Sequence, residues 1–312
     1  MSPATVSPIE EAVPGESVVC IGFFDGVHRG HRELIDCARR HGERLGLRPA
    51  VVTFDRHPLE IIRPGSQPPL LQPHAARLDT LADSGVDLVA TVAFDDELRH
   101  LPPEAFVERT LAPLAPRQAV VGQDFCFGHK AAGDVATLRD LGEVRGFGVE
   151  AVTLLELDGV VVSSTEIRRR VAVGDVEGAA EMLGRPHALE GPVVRGDERG
   201  HELGFPTCNL AVDPRVAVPA LGIYAGVAHL PDQRAVDAAI SVGLNPTFDG
   251  HQQRVEAHLL DADEDLYGAR VSLDFWARLR SEARFDSVEA LVAQMRDDVA
   301  RVRRVLGRAR SV

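Results

Sequence analysis

His28 and His31 stand three residues apart in Gly22-Phe23-Phe24-Asp25-Gly26-Val27-His28-Arg29-Gly30-His31, between a short apolar run and a helical pattern. Two imidazoles where a chain enters a helix can point at the same oxyanions and donate hydrogen bonds to them, beside the helix's unpaired N–H groups and positive dipole. Gly26 and Gly30 leave room for the backbone to approach a phosphate. The other reading of a bare H-x-x-H spacing is a surface pair or a partial metal site. By itself, Ser163-Ser164-Thr165-Glu166-Ile167-Arg168 reads as an N-capped helix with Arg168 on its exposed face. Pro206-Thr207-Cys208-Asn209 reads as a turn in which Thr207 and Asn209 satisfy backbone groups. In residues 255–261, strand alternation puts Glu256, His258 and Leu260 on one face, opposite Val255, Ala257 and Leu259. A carboxylate facing a cavity from such a strand can take the proton of a hydroxyl nucleophile; otherwise Glu256 pairs across strands with an arginine such as Arg270.

The elements that must hold these groups fall into two patterns. Apolar runs at 18–21, 50–54, 87–94, 118–121 and 149–155 predict strands, with helical spacing between several of them. That alternation predicts a parallel sheet with crossover helices. After the amphipathic stretch 175–183, Gly184-Arg185-Pro186 punctuates the chain, which sets a domain boundary between 185 and 186. Beyond it, predicted strands at 188–194, 223–228, 238–242, 254–260 and 269–275 follow one another without long helices, as in an antiparallel barrel or sandwich. A last helix is expected, with Asp286 as N-cap, Glu289 at N3 and an apolar face through Val288, Leu291, Val292, Met295, Val299, Val302 and Leu306.

Composition narrows the chemistry. The 312 residues suit two domains, and 45% apolar with 26% charged residues is a globular balance. A net charge of −13 disfavours nucleic acid as a partner. No apolar run approaches the roughly 18 residues of a membrane span, and the start lacks a leader's basic and apolar regions, so a cytoplasmic protein is expected. Lys130 is the only lysine, which excludes a Walker-type phosphate loop. Cys20, Cys37, Cys126 and Cys208 form no C-x-x-C pair and suggest neither zinc site nor disulfide.

The ten-residue string closely resembles the HxGH signature of the nucleotidyltransferase superfamily, in the form found in the FMN adenylyltransferase domain of prokaryotic bifunctional riboflavin kinase/FAD synthetases. Thr53-Phe54-Asp55-Arg56-His57-Pro58, Gly122-Gln123-Asp124-Phe125-Cys126-Phe127-Gly128 and the Ser163–Arg168 segment resemble that family's later motifs in order. Gly200-His201-Glu202-Leu203-Gly204-Phe205-Pro206-Thr207-Cys208-Asn209, Gly222-Ile223-Tyr224-Ala225, Gly243-Leu244-Asn245-Pro246-Thr247-Phe248 and Val255–Asp261 resemble riboflavin kinase segments. The likeness spans roughly residues 17 to 300. It implies a Rossmann-like adenylyltransferase domain over 1–185 and a β-barrel riboflavin kinase domain over 186–312, with riboflavin, FMN and ATP as substrates, FAD as product and Mg²⁺ as cofactor.

The resemblance implies roles for particular residues. His28, His31 and Arg168 stabilise phosphoryl charge, and Gly22, Phe24, Asp25, Gly26, Gly30, Ser163, Ser164 and Thr165 contact ATP. Asp25 either shapes the turn or binds ribose. Asp55, His57, Pro58, Asp124, Phe125 and Phe127 contact the flavin. In the second half Gly204 and Pro206 contact ATP, Thr207 and Asn209 ligate Mg²⁺, and Glu256 is the base. Arg56, Gln123, Cys126 and Cys208 depart from the family pattern. They leave open a flavin-binding or regulatory paralogue with one silent half. Another HxGH nucleotidyltransferase is the second rival, and it leaves the later motifs unexplained. No oligomeric state is implied.

Overall fold

The computed structural model describes residues 4–196, 204–244, 253–262 and 264–309. They divide into two compact units, Met1–Pro68 with Pro73–Ser163, and Pro69–Gln72 with Ser164–Val312.

The first unit runs β1 (Thr5–Pro8), β2 (Ser17–Ile21), α1 (Arg29–Leu45), β3 (Arg48–Phe54), α2 (Pro58–Ile62), α3 (His74–Ala82), β4 (Leu88–Val92), α4 (Pro103–Thr110), β5 (Pro116–Gly122), α5 (Val135–Arg145), β6 (Gly148–Val152) and a small hairpin, β7 (Glu156–Leu157) with β8 (Val160–Val161). Strands β1 to β6 form one parallel sheet in the order β1-β4-β3-β2-β5-β6. The unbroken apolar run of β2 follows from burial on both faces. Val19 and Ile21 pack with Phe106 of α4 and Leu138 of α5, whereas Val18 and Cys20 pack with Ile35 and Ala38 of α1 and Leu81 of α3. Strand order reverses at β2, with β3 and β4 to one side and β5 and β6 to the other. In such sheets a crevice opens beyond the carboxyl ends of the strands that flank the reversal, here β2 and β5. Edge strand β1 lies outside the predicted strands; it is short and ends in a proline, which an edge position tolerates.

The second unit begins with α6 (Ser164–Val173) and α7 (Val176–Leu183), so the expected 185/186 boundary falls within it. There follow β9 (His187–Val194), β10 (Cys208–Leu210), β11 (Gly222–His229), β12 (Ala235–Leu244), β13 (Gln253–Leu259), β14 (Arg270–Arg280) and α8 (Val288–Ala309). The strands close as an antiparallel barrel, β10-β13-β12-β11-β14-β9, and β9 meets β10 through Asn209 opposite Val194. Leu189, Tyr224, Ile240, Ala257, Leu273 and Phe275 fill it. Strand β10 has three residues, too few for a period to register. Pro69–Gln72 packs here too: Leu70 N–H donates to the Arg215 carbonyl at 2.7 Å, and Ala217 N–H to the Leu70 carbonyl at 2.8 Å.

Helix α8 starts one residue later than the sequence suggests. The Ala290 N–H donates to Ser287 Oγ at 3.2 Å, so Ser287 is the cap in place of Asp286. Val302 and Leu306 are buried, but Val288 stays exposed. Arg280 of β14 grips the buried Asp298 of α8 through Nε at 3.0 Å and Nη2 at 2.7 Å.

At the start of β9 the fully buried His187 donates from Nε2 to the Ala217 carbonyl at 2.8 Å. Burial lowers its pKa from the usual 6.5 to about 4, opposed in part by that hydrogen bond. The unfolded chain therefore takes up a proton below about 6.5 that the folded barrel refuses until about 4, and stability falls as pH drops through that window. The expected loss is up to about 3 kcal/mol. Trp276, the single tryptophan, lies on β14 and reports barrel unfolding alone. His187→Leu should flatten the pH dependence of its denaturant midpoint; an unchanged slope would assign the acid sensitivity elsewhere.

Candidate active sites

The turn after β2 is strained. Phe24 (φ 57), Gly26 (φ 80) and Val27 (φ 40) all occupy the left-handed region, which a β-branched residue rarely enters. Such strain persists at roughly 1–3 kcal/mol per residue only where surrounding contacts enforce it, and it clusters at functional sites. Here the Gly22 N–H donates to the Val52 carbonyl at 3.1 Å and the Val27 N–H to the Phe24 carbonyl at 3.0 Å. The turn delivers the chain into α1 with His28 as N-cap: His31 N–H donates to His28 Nδ1 at 3.2 Å. Because Nδ1 accepts, the neutral ring of His28 carries its proton on Nε2. The His31 ring stacks on it at 3.5 Å between centroids and 17° between planes, and Phe24 abuts His31 edge-on at 5.2 Å. Asp25 is buried within the turn. Gly30 passes close beneath, where a Cβ would lie 3.3 Å from His28 Nδ1 and 3.4 Å from the Val162 carbonyl oxygen. Ser163 follows directly. Ser164, Thr165 and Arg168 begin α6 in the second unit, where Arg168 Nε donates to the Pro69 carbonyl at 2.7 Å.

Arg77 of α3 was not foreseen, since in sequence it reads as one more helix-surface arginine. It is 2% exposed, lies 4.0 Å over the Phe23 ring, and donates to the Phe54 carbonyl and to His74 Nδ1. Burial brings its pKa down to about 10, offset by Asp25, Asp55 and Glu60. A buried cation directly behind the strained turn braces Phe23 and balances Asp25.

A cavity of about 600 Å³ opens at the carboxyl ends of β3, β4 and β5. Phe54, Phe94, Phe106, Phe125 and Phe127 supply apolar wall, and Arg99, His100, His129 and Lys130 add polar and cationic groups. Of the six flavin contacts expected from the sequence, Pro58, Phe125 and Phe127 line it; Asp55, His57 and Asp124 do not. Asp55 accepts the Phe94 N–H at 2.9 Å and two bonds from Arg56, at 3.0 and 2.8 Å. Burial alone would raise its pKa, but those hydrogen bonds outweigh it and hold the carboxyl below its usual value. His57 caps α2, with Nδ1 accepting the Leu59 N–H at 3.1 Å. Asp124 is exposed. Cys126, a departure from the family pattern, lines the cavity.

In the barrel, alternation along β13 is as predicted: Val255, Ala257 and Leu259 are buried, and Glu256 and His258 face outward. Register sets Glu256 directly opposite Asn209 on β10 and Ser241 on β12. Opposed residues share a face with Cβ atoms about 4.5–5.5 Å apart. Glu256 pairs with Arg254 at 3.2 Å, while Arg270 pairs with Glu190 at 3.1 Å. Asn209 is buried under Gly196, where a Cβ would lie 2.1 Å from Nδ2. Thr207 and Asn209 line a cavity of about 310 Å³ with Gly196, Pro206, Asp265 and Tyr267. The Pro206 carbonyl accepts from His258 Nδ1 at 2.8 Å, and Gly204 holds φ 78. Cys208 packs with the barrel core, and burial raises its thiol pKa, so it behaves as an apolar filler. Gly200–Leu203 and Asn245–Phe248 lie outside the described residues.

The FAD synthetase family model covers residues 10–166 and the riboflavin kinase model residues 183–306. The bifunctional riboflavin kinase/FMN adenylyltransferase of Pseudomonas fluorescens is 38% identical over 92% of this chain and 92% of its own length. That of Escherichia coli K12 is 35% identical over 93% of each. A crystal structure from Streptococcus pneumoniae, described as a macrolide-efflux protein, matches with a TM-score of 0.88 at 30% identity, over 96% of this chain and 98% of that one. A strained, histidine-capped turn in a parallel sheet, an acid opposite an amide on a closed barrel, and both family models in that order lead to one assignment: the chain belongs to the bifunctional riboflavin kinase/FMN adenylyltransferase family.

Proposed function

We propose that residues 186–312 phosphorylate riboflavin to FMN with ATP, and that residues 1–185 transfer AMP from ATP to FMN, releasing pyrophosphate and FAD. The observation that carries this reading is that each half holds its own phosphate-ready group, the capped His28–His31 pair in one and the Asn209–Glu256 row in the other.

FMN's phosphate is already an anionic nucleophile, so adenylyl transfer asks for alignment and charge neutralisation rather than a base. His28, its proton fixed on Nε2 by the cap, and His31 stacked against it donate to phosphoryl oxygens as charge grows there. We assign Ser163, Ser164, Thr165 and Arg168 as further phosphate donors, and Gly22, Phe24, Asp25, Gly26 and Gly30 as the turn that admits the nucleotide. The phenylalanine-walled cavity, with Pro58 at its edge, suits a flat aromatic ring, and its cationic groups suit an anionic tail. Asp55 and His57 then act on the flavin through the backbone they hold, at Phe94 and Leu59, and Asp124 remains assigned to it from the loop after β5.

Riboflavin's hydroxyl is a poor nucleophile, and Glu256 takes its proton as the γ-phosphoryl group is transferred. Thr207 and Asn209 offer neutral oxygens at a cavity, the donor type a hard divalent cation prefers, and Gly196 leaves the space that holds the Asn209 amide. Mg²⁺ bound there would neutralise phosphate charge. Gly204 and Pro206 shape the same wall. Gly196→Ala should displace Asn209 and lower kinase activity by about 10²-fold, the usual cost of a 1 Å misplacement, with FMN adenylylation unchanged. Wild-type kinase kinetics in that variant would remove Asn209 from the site.

We place the enzyme in the cytoplasm; no helix among the described residues is long and apolar enough to cross a membrane. Riboflavin and Mg·ATP incubated with the purified chain should yield FMN and then FAD, resolved by chromatography. FMN alone, or no product from riboflavin with FAD still made from supplied FMN, would identify a paralogue with one silent half.

A further inference from the structure

Away from both cavities, α1 and edge strand β6 bring together three side chains that no step above uses. Cys37 and His41 stand one turn apart on the same face of α1. Glu150, the central residue of β6, is placed between two apolar residues, Val149 and Ala151, that pack with the opposite core layer. Its carboxylate therefore turns toward α1, where Cys37 Sγ approaches Oε1 at 3.2 Å and His41 Nε2 approaches Oε2 at 2.5 Å. The three ligand atoms all lie within 4.8 Å of one another. Cys37 is buried and the His41 side chain is 12% exposed, but that of Glu150 is 45% exposed, so the cluster has a closed floor and an open mouth.

We propose that Cys37, His41 and Glu150 bind one borderline divalent transition-metal ion of the zinc class, with solvent as fourth ligand, and that the ion ties α1 to the sheet edge. The donor set is one thiolate, one imidazole and one carboxylate, which zinc accepts in tetrahedral sites. With metal–sulfur near 2.3 Å and metal–nitrogen or metal–oxygen near 2.0–2.1 Å, tetrahedral ligands stand roughly 3.3–3.6 Å apart. Glu150, the most exposed of the three, reaches that spacing from His41 by opening their short contact by about 1 Å. Thiolate and imidazole select against Mg²⁺, so the ion that accompanies ATP does not compete.

The proton balance is definite. Metal binding breaks the Cys37 S–H bond, forms metal–sulfur and releases one proton to solvent. The neutral His41 imidazole gives its Nε2 lone pair and carries its proton on Nδ1, and Arg44, now 2.6 Å from Nδ1, turns outward from its exposed position. Glu150 exchanges its hydrogen bonds for the metal. Affinity therefore rises with pH. Fixing the helix that His28 caps to β6 stabilises the adenylyltransferase unit without touching its chemistry.

The test uses the full chain freed of metal by a chelator and titrated with Co²⁺ in the absence of ATP. A thiolate-to-cobalt charge-transfer band should saturate at one equivalent. It should vanish in Cys37→Ser, and the apparent affinity should fall in His41→Gln by more than the roughly 10- to 100-fold that outer-shell partners are worth. Zn²⁺ should raise the thermal midpoint of the wild type in a concentration-dependent way and leave Cys37→Ser unmoved. His41→Gln keeps a polar side chain on α1 and keeps the test open should Cys37→Ser fold poorly. No band at stoichiometric Co²⁺, or a band that survives His41→Gln undiminished, would overturn the proposal and leave the cluster a hydrogen-bonded contact between helix and strand.

Discussion

Glu256→Gln should lower riboflavin phosphorylation by about 10²- to 10⁴-fold, the range attributed to a general base, while conversion of supplied FMN to FAD stays within twofold of wild type. The substitution keeps shape and register, so Asn209 and Ser241 remain opposite position 256 and the barrel core on the other face of β13 is untouched. What it removes is the ability to accept a proton, together with the Arg254 pair. That pair is partly exposed on both sides and is worth at most about 1 kcal/mol. A structural role would therefore appear as a small shift in midpoint with both activities nearly intact. A catalytic role appears as a loss of kcat confined to the kinase, with the Trp276 unfolding transition unchanged. Thr207→Ala should separate from it by raising the Mg·ATP requirement instead. Equal loss of both activities in a folded Glu256→Gln protein would end the assignment, because the two reactions are assigned to separate domains.

The difference between what could and could not be read from sequence follows from how local each feature is. Strands β2 to β5 were legible because burial on both faces leaves apolar runs, and Val255–Leu259 because one-sided burial leaves alternation. Thr5–Pro8 and Cys208–Leu210 were not, since a three- or four-residue strand stabilised by its neighbours has no period of its own. The histidine-capped turn was legible as a contiguous string. The cavity beside it was legible only in part, because Phe54, Phe94 and Phe106 reach it from three different elements and look like ordinary core residues. Arg77 was hidden for the opposite reason: a long cation on a helix is usually a surface residue, and nothing local announces that it lies over the Phe23 ring. Asp55, expected at the flavin, accepts from the Phe94 N–H and Arg56, partners that no local pattern shows. Cys37 and His41 belong to no C-x-x-C pair, and their third partner lies 113 residues from Cys37.

His28→Ala should reduce FMN adenylylation by about 10²- to 10³-fold, the effect of losing one donor to transition-state charge, while riboflavin phosphorylation continues and FMN accumulates. The alanine also deletes the N-cap of α1, a change costing about 1 kcal/mol, so loss of activity alone does not distinguish a donor from a cap. His28→Asn makes that distinction. Asparagine is among the best N-caps and can accept the His31 N–H as Nδ1 of His28 does, which preserves the helix start. Its amide cannot, however, reproduce the stacked imidazole whose Nε2 proton is fixed by that same bond. If the ring serves phosphate, His28→Asn regains the wild-type thermal midpoint but not the rate. If the ring serves only the helix, His28→Asn regains both. The defect should also be indifferent to zinc chelation, since these histidines act as donors and not as ligands. FAD formed from riboflavin and Mg·ATP at the normal rate by a folded His28→Ala, His31→Ala double mutant would mean that the phosphate site lies elsewhere in the first domain.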